Sequence, residues 1–183
     1  DKKLISKYIK DLSKELNDEN QLEYHLSQHL RMNGLYWTAI STELVDSTEK
    51  ENIVDWIKTC YYPEQGSFGP FPKHDPHILS TLSAIQLLII FKEFEFLKKV
   101  LSKIFGYISS LQLANGAFKG DLFSEEVDTR FSYNSLHILY YITKIVPDTY
   151  EQKQIDDVVS KGLKYLKTCY NYDGGFGLRP GCE

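Results

Sequence analysis

A turn built on Gly and Phe recurs three times along this chain, each time shortly after the end of an amphipathic segment. The turns are centred on Phe68, Phe118 and Phe176, which are 50 and 58 residues apart. The aromatic residues that precede the turns keep almost the same step and are Trp56, Tyr107 and Tyr165. A near-constant period of this size predicts a helical-repeat architecture, in which each unit buries its apolar face only against its neighbours.

Two kinds of helical segment alternate between these turns. Residues 78–91 contain no charged side chain, and residues 131–145 are similarly apolar until Lys144, so both segments predict helices buried on most sides. Residues 98–111 and 158–169 instead place apolar residues at helical spacing opposite a charged face. The alternation predicts one all-α domain with an inner and an outer helix layer. Its repeats cover about 5–46, 53–95, 100–143 and 156–183.

The expected helix starts carry capping residues. Residues 1–20 are charged with a weak apolar stripe, which predicts a leading helix. Thr48 and Thr149 each open a capping box, in which a hydroxyl and a later acidic or amide side chain satisfy the first helical amides.

Two further acidic residues precede the predicted inner helices. Asp75 and Asp128 are 53 residues apart and are predicted N-caps. The residues two positions on, His77 and Arg130, fall in the first turn of those helices. Their side chains are predicted to reach the central space, where each would need a polar partner.

Composition excludes several classes of function. The net charge of −4 and the pI near 5.8 provide no basic field for nucleic acid. The three cysteines form no CxxC pair, which favours free thiols in the cytoplasm, with Cys60 and Cys169 buried as small apolar residues. The longest apolar run, 85–91, is far shorter than the roughly 18 residues of a membrane span.

Four short stretches, taken together, point to a family. They are residues 31–37 (RMNGLYW), 74–84 (HDPHILSTLSA), 128–132 (DTRFS) and 171–181 (NYDGGFGLRPG). In this order and spacing they resemble the β subunits of Rab geranylgeranyltransferases, and the resemblance extends over residues 5–183. Gly-Gly-Phe turns occur throughout the prenyltransferases and related cyclases. The second and third stretches are more similar to the Rab enzymes than to the farnesyl or type I geranylgeranyl enzymes.

The resemblance implies an α/α toroid of six helix pairs, whose inner ring encloses a cavity for geranylgeranyl diphosphate. In that family a zinc-bound cysteine thiolate of the Rab C terminus attacks C1 of the lipid as diphosphate leaves. Zinc keeps a thiol deprotonated near neutral pH, and cationic groups stabilise the charge on the leaving group. The implied partners are an α subunit and a Rab GTPase with its escort protein. The implied cofactors are zinc and magnesium.

The resemblance also assigns lipid-pocket residues. Trp37 matches an aromatic that shapes the end of the pocket, with Tyr36 beside it. Phe131 and Tyr133 fall on the segment that lines the isoprenoid tunnel, where the family more often has Phe in place of Tyr133. Asn33 stands where a small Ser is common, at a position that helps determine pocket depth. The alternative for the larger aromatics is plain core packing.

Two polar residues complete the predicted site. Arg130 matches an inward arginine between the lipid and the acceptor peptide, and its alternative is a structural ion pair with Asp128 or Glu126. His77 is a candidate inward polar residue. No catalytic residue or metal ligand is expected within this chain, because the family's zinc ligands fall beyond Glu183. His25 and His29 are spaced i, i+4 on a predicted helix, but a third ligand is lacking.

The chain is therefore expected to be an N-terminal portion, an incomplete half-ring that transfers no prenyl group by itself. Apolar surface at an open edge favours self-association, so light scattering should detect dimers or larger species. The alternative function is a non-catalytic toroid or solenoid module that binds proteins, which would spread the aromatics along a groove. A terpene cyclase of the same fold is disfavoured, because residues 125–128 (EEVD) do not form the Asp-x-Asp-Asp pattern of those enzymes.

Overall fold

The computed structural model describes residues 18–41 and 47–182, together with the isolated positions Leu4, Lys7 and Asp11. Those three positions are helical. Residues 18–20, at the end of the predicted leading helix, are not helical, and its other residues lie outside the described set, as do residues 42–46 of the first predicted repeat.

The described residues form α-helices joined by short turns. In chain order the helices are α1 (Leu22–Leu26), α2 (Arg31–Ser41), α3 (Ser47–Thr59), α4 (Ile78–Ile90), α5 (Phe94–Leu111), α6 (Thr129–Ile145) and α7 (Gln152–Thr168). A 3₁₀ turn (Gln28–Leu30) joins α1 to α2, and strands β1 (Tyr61–Tyr62) and β2 (Ser67–Phe68) pair antiparallel after α3.

The helices pack in two layers, which confirms the prediction. Helix α4 lies between α2 and α6 and forms the centre of an inner row. Helix α5 packs on α4 and α6, and α7 packs on α6. The uncharged sequence of α4 explains its central place, because apolar side chains surround most of its axis and are buried. Helices α5 and α7 bury one stripe each and keep their charged faces in solvent.

Each of the three Gly-Phe turns closes with the same backbone pairing. The carbonyl group at the end of an outer helix accepts a hydrogen bond from the amide that follows the Phe. These pairs are Gly69 N to Cys60 O, Lys119 N to Leu111 O and Gly177 N to Cys169 O, each 3.0 Å. The Phe itself bridges to the strand or residue after the helix, in the pairs Tyr61–Phe68, Gln112–Phe118 and Tyr170–Phe176. The period in the sequence therefore corresponds to a structural repeat.

Glycine is required in these turns because the chain adopts a left-handed conformation, and in the first two turns it also approaches the next outer helix closely. Gly66, Gly116 and Gly174 have φ angles of 69°, 90° and 90°. A Cβ on Gly66 would lie 2.8 Å from the carbonyl oxygen of Lys103 in α5. A Cβ on Gly116 would overlap the carbonyl oxygen of Lys161 in α7. The turn of one repeat thus packs directly on the backbone of the next.

Inner helices are joined to the following repeat at their N-termini. The amides at a helix start have no partner within the helix. In each inner helix one of them instead donates to a carbonyl group in the turn of the next repeat. The pairs are Met32 N to Pro70 O at 3.2 Å, Ile78 N to Gly120 O at 2.9 Å and Thr129 N to Leu178 O at 3.0 Å. Backbone hydrogen bonds therefore link every consecutive pair of described repeats.

The last turn is exposed where its two counterparts are buried. Phe68 and Phe118 are fully buried, whereas Phe176 is 59% exposed. Other large apolar side chains around Phe176 in the sequence are also exposed, namely Leu163, Tyr170, Tyr172 and Leu178. An apolar area of this kind supports the expectation of self-association, which stays a prediction.

Two predicted capping boxes do not form as expected. Helix α7 begins at Gln152 with Glu151 as its N-cap, and no side chain caps it. Thr149 belongs to the preceding turn, where its amide donates to the carbonyl of Val146 at 3.1 Å. Helix α3 already begins at Ser47, so Thr48 lies inside it, and the side chain of Thr48 is outside the described set.

The prediction of free thiols, with Cys60 and Cys169 buried, is confirmed. Cys60, Cys169 and Cys182 are free thiols, and the first two are fully buried. Burial raises the pKa of Cys60 to about 12, so its thiol stays protonated. Cys60 and Cys169 therefore act as small apolar residues at the ends of two outer helices.

Candidate functional site

The side of the inner helix row opposite its buried face carries several exposed aromatic residues. On α6 the buried residues Phe131 and Ile138 lie opposite Tyr133 and Tyr140, because each residue turns the helix by about 100°. Tyr133 and Tyr140 are 57% and 54% exposed, and Trp37 on α2 is 63% exposed. We call this side the inner-helix surface. Its members are Asn33, Trp37 and Ile40 on α2, Gln86 and Ile90 on α4, and Tyr133, His137 and Tyr140 on α6.

His137 lies at the centre of an aromatic cluster on α6. Its Nδ1 is 3.0 Å from the hydroxyl oxygen of Tyr133. Its ring stacks on Tyr141, with centroids 4.7 Å apart and planes 24° apart, and contacts Tyr140 at 6.4 Å. Burial lowers the pKa of His137, so the imidazole is neutral near pH 7.

Residues from all three inner helices converge at Tyr141. Burial raises the pKa of Tyr141, a hydrogen bond with Gln86 of α4 opposes the rise, and the nearby Tyr36 and Tyr133 add to it. Tyr36 also packs against the core. The predicted residues Tyr36 and Tyr133 are thus both near Tyr141. Trp37 follows Tyr36 on the exposed side of α2.

Asn33 joins α2 to α4. Its Oδ1 accepts a hydrogen bond from the Ser83 hydroxyl at 3.0 Å. Ser83 is buried, so this bond fixes the Asn33 side chain against α4. The predicted role of Asn33 in pocket depth stays a prediction, and its placement at the edge of the inner-helix surface is compatible with it.

Phe131 is placed differently from the prediction. It is 2% exposed and belongs to the hydrophobic core. Its ring contacts His77 at 5.3 Å between centroids, and its Cζ would lie 3.0 Å from a Cβ on Gly120. Two residues along a helix correspond to a rotation of about 200°, so Phe131 and Tyr133 face opposite sides. Phe131 therefore supports the surface from behind rather than lining it.

His77 caps a helix and does not lie in its first turn. It is the N-cap of α4, and its Nδ1 accepts a hydrogen bond from the Leu79 amide at 3.1 Å. Its Nε2 lies against Gly120, where a Cβ would approach to 2.5 Å. The prediction that Asp75 caps this helix is wrong, because α4 begins at Ile78 and Asp75 is exposed three residues earlier. The imidazole points into the contact between repeats and not into a central space.

Arg130 forms an ion pair with Asp128, which is one of the two structural pairings predicted as the alternative to a role in the site. Asp128 is the N-cap of α6 and accepts from the Arg130 amide at 2.7 Å, which confirms its capping prediction. It also accepts from Nε and Nη2 of Arg130 at 2.9 and 2.7 Å. Burial alone would raise the pKa of Asp128, but the hydrogen bonds and charge of Arg130, with the charge of Arg179, lower it. The Arg130 side chain as a whole remains 63% exposed, so a ligand can reach it from the solvent side.

The neutral state of His77 leads to a prediction about pH. Burial lowers its pKa, Asp121 and Glu126 oppose this, and Arg130 adds to the lowering. The unfolded chain, with a His pKa of about 6.5, therefore takes up the proton first. The stability that neutral His77 contributes is complete above about pH 6.5 and is lost as the pH falls toward the folded pKa. Urea unfolding at pH 7, 6 and 5 should show a decreasing free energy of unfolding.

Two variants isolate this effect. His77→Asn keeps a side-chain acceptor at the N-cap but cannot be protonated, so it should show a smaller loss between pH 7 and 5. His77→Ala removes the cap and should cost about 1 kcal/mol at pH 7. The interpretation would be wrong if the parent chain and His77→Asn lost stability equally on acidification.

A metal site does not form within the described residues. No group of three His, Cys, Asp or Glu side chains in residues 18–41 and 47–182 is close enough to hold a metal ion. His25 lies in α1 and His29 in the 3₁₀ turn, so the expected pair does not share one helix. The described residues therefore do not supply a donor set that fits the implied zinc ion.

Sequence reasoning missed the contribution of His137, Tyr140 and Gln86 to the surface. A signal was present, because His137 and Tyr140 follow Tyr133 at i+4 and i+7 and so share its helix face. Gln86 is the lone polar residue between Ser83 and Lys92 in a long apolar segment.

The comparisons with known proteins agree with this architecture. The family model described as the prenyltransferase alpha-alpha toroid domain matches residues 1–183. The chain is 36% identical to the geranylgeranyl transferase type-2 subunit beta of Saccharomyces cerevisiae over 184 residues, which are 98% of this chain and 54% of that protein. It is 38% identical to the subunit of the same name from Candida albicans over 181 residues, which are 92% of this chain and 50% of that protein.

A third relative matches a shorter part. The probable geranylgeranyl transferase type-2 subunit beta of Dictyostelium discoideum is 38% identical over 89 residues, which are 47% of this chain. The chain spans about half the length of the two yeast relatives. The family match, the two helix layers and the repeated Gly-Phe turns all lead to one conclusion. This chain belongs to the prenyltransferase α/α-toroid family.

Proposed function

We propose that the inner-helix surface binds the hydrocarbon chain of geranylgeranyl diphosphate. In this proposal the chain forms part of the β subunit of a transferase that attaches the lipid to C-terminal cysteines of Rab GTPases. The observation that carries the proposal is the exposure of Tyr133 and Tyr140 on one face of α6 and of Trp37 on α2, in a row of three inner helices that pack side by side. The similarity to geranylgeranyl transferase type-2 β subunits supports the choice of lipid.

The chemistry of the surface suits an isoprenoid. Aromatic rings offer large apolar areas with a defined geometry, and burying apolar area contributes about 25 cal/mol per Å². Arg130 precedes Tyr133 by three residues on the same helix face, at the N-terminal end of α6. Its exposed guanidinium is suited to the diphosphate, since Arg makes bidentate hydrogen bonds to phosphate oxygens. We therefore propose that the diphosphate lies toward Arg130 and the hydrocarbon toward Tyr140.

The remaining expectations belong to the whole transferase. We propose that an α subunit, a Rab GTPase with its escort protein, zinc and magnesium take part, with the zinc ligands outside the described residues. The described residues would bind and orient the lipid. A cytoplasmic location is in keeping with three free cysteines. Within the described part of the chain, no helix combines the length and apolar character that a membrane crossing needs.

Fluorescence of Trp37 offers a direct test. The chain has two tryptophans, and replacing the partly buried Trp56 by Phe leaves Trp37 as the sole emitter. Titration of Trp56→Phe with geranylgeranyl diphosphate is expected to shift the emission to shorter wavelength and to saturate, because lipid would displace water from the indole.

Two controls accompany this titration. Inorganic diphosphate should leave the Trp37 emission wavelength unchanged. In Trp37→Phe the remaining Trp56, which packs on Phe71 at 6.2 Å, should not respond to the lipid. A lack of saturable response in Trp56→Phe would contradict the proposal and favour a protein-binding module instead.

A further inference from the structure

The hydroxyl group of Tyr133 distinguishes this surface from a purely apolar one. A phenol pressed against hydrocarbon loses its water partners and needs another hydrogen bond. That bond is supplied by His137, one helical turn along α6, whose Nδ1 is 3.0 Å from the hydroxyl oxygen. Because the two residues are at i and i+4, the bond holds the Tyr133 ring along the helix axis. The ring therefore presents its apolar area while its polar end is occupied.

The imidazole that supplies this bond is itself fixed. It stacks on Tyr141 with centroids 4.7 Å apart, and Tyr133 meets it edge-on at 5.4 Å. Tyr141 in turn packs against the hydrophobic core and interacts with Gln86 of α4. A continuous series of contacts thus runs from α4 through Tyr141 and His137 to Tyr133. The orientation of Tyr133 is set by the packing of α6 on α4.

We propose that His137 is a positioning residue for the lipid site, which acts through the Tyr133 hydroxyl to hold the Tyr133 ring flat along α6. The inference rests on the proposed binding of geranylgeranyl diphosphate to the inner-helix surface. With the bond in place, Tyr133 offers the lipid an apolar wall, although it carries a polar group. Without it, the hydroxyl lacks a partner at the lipid contact and the ring can populate another χ1 rotamer.

The test uses the whole chain with Trp56→Phe, titrated with geranylgeranyl diphosphate and followed by Trp37 fluorescence. His137→Leu and His137→Ala both remove the hydrogen bond and are expected to weaken binding about fivefold, the usual worth of one neutral hydrogen bond. His137→Asn places an amide near the position of Nδ1 and should bind within about twofold of the parent. Circular dichroism and thermal melting identify which variants are folded.

A double-mutant cycle separates positioning from a general effect on packing. Tyr133→Phe removes the hydroxyl through which His137 acts, so adding His137→Leu to it should cause no further loss of affinity. Equal weakening by His137→Leu with and without the Tyr133 hydroxyl would overturn the inference. So would wild-type affinity in the folded His137→Leu and His137→Ala variants. Both results leave the proposed function intact, whereas failure of the parent to bind lipid would overturn the proposed function and this inference together.

Discussion

Replacing Gly116 by Ala is expected to destabilise the protein by about 4 kcal/mol, a large effect for the addition of one methyl group. Two causes act together. At φ 90° a Cβ is strained against its own backbone, and this Cβ would also overlap the carbonyl oxygen of Lys161 in α7. Backbone atoms of a helix cannot move aside as the end of a flexible side chain can. For a chain of this size the melting temperature should fall by about 10 °C.

Gly106→Ala is the matched control. Gly106 lies inside α5, and an added Cβ would meet nothing within 4 Å. Since Gly costs about 0.5–1 kcal/mol relative to Ala within a helix, this variant should be more stable than the parent. Thermal unfolding followed by circular dichroism compares the two. If Gly116→Ala melted within a degree or two of the parent, the close approach of this turn to α7 would be disproved.

Asp128→Ala is expected to cost about 2–3 kcal/mol, because one buried carboxylate serves both as helix cap and as ion-pair partner. The loss leaves the first turn of α6 without its acceptor. It also releases the guanidinium of Arg130, but that contribution is small, since water reaches the exposed cation. Urea unfolding at pH 7 measures the difference.

Asp128→Asn separates the two roles of the carboxylate. Its amide oxygen can still accept a hydrogen bond from the Arg130 amide, so Asp128→Asn should lose about half as much stability as Asp128→Ala. The folded pKa of Asp128 lies below its usual 3.8, so the stability of its charged form is complete above about pH 4. That stability is lost as the pH falls through the folded pKa. The difference in the free energy of unfolding between the parent and Asp128→Asn should therefore decrease as the pH falls. An increase in this difference below pH 4 would refute the assignment.

The layered fold could be predicted because its signals are local and repeated. An uncharged run such as 78–91 identifies a buried helix without knowledge of its neighbours, and the Gly-Phe turns give the repeat directly. The residue that caps each inner helix could not be predicted. Asp75 and Asp128 occupy equivalent places in the aligned sequences, but α4 begins one residue after His77 and α6 one residue after Asp128. The residue next to the helix is the cap, and a shift of two residues changes its identity.

The exposed side of α6 could not be predicted for a similar reason. The resemblance assigned both Phe131 and Tyr133 to the lipid pocket, and this assignment stays a prediction, yet the two residues face opposite sides of that helix. Which of them is exposed depends on the rotation of α6 about its axis against α4, and this rotation is set by packing. The hydrogen bond between Tyr133 and His137 is internal to α6, and the same rotation places it on the exposed side. A pattern of residue types indicates helix faces, and only the neighbouring helices decide which face is open.

The amides that cross between repeats give the array a direction. Each described inner helix begins with an amide that donates to a carbonyl group of the hairpin after it, so one backbone hydrogen bond of each hairpin depends on its successor. Fraying at the C-terminal side would free the amide of Thr129, then that of Ile78, and so on toward the N-terminus. Local unfolding that starts at the C-terminal side should therefore proceed toward the N-terminus, one repeat at a time.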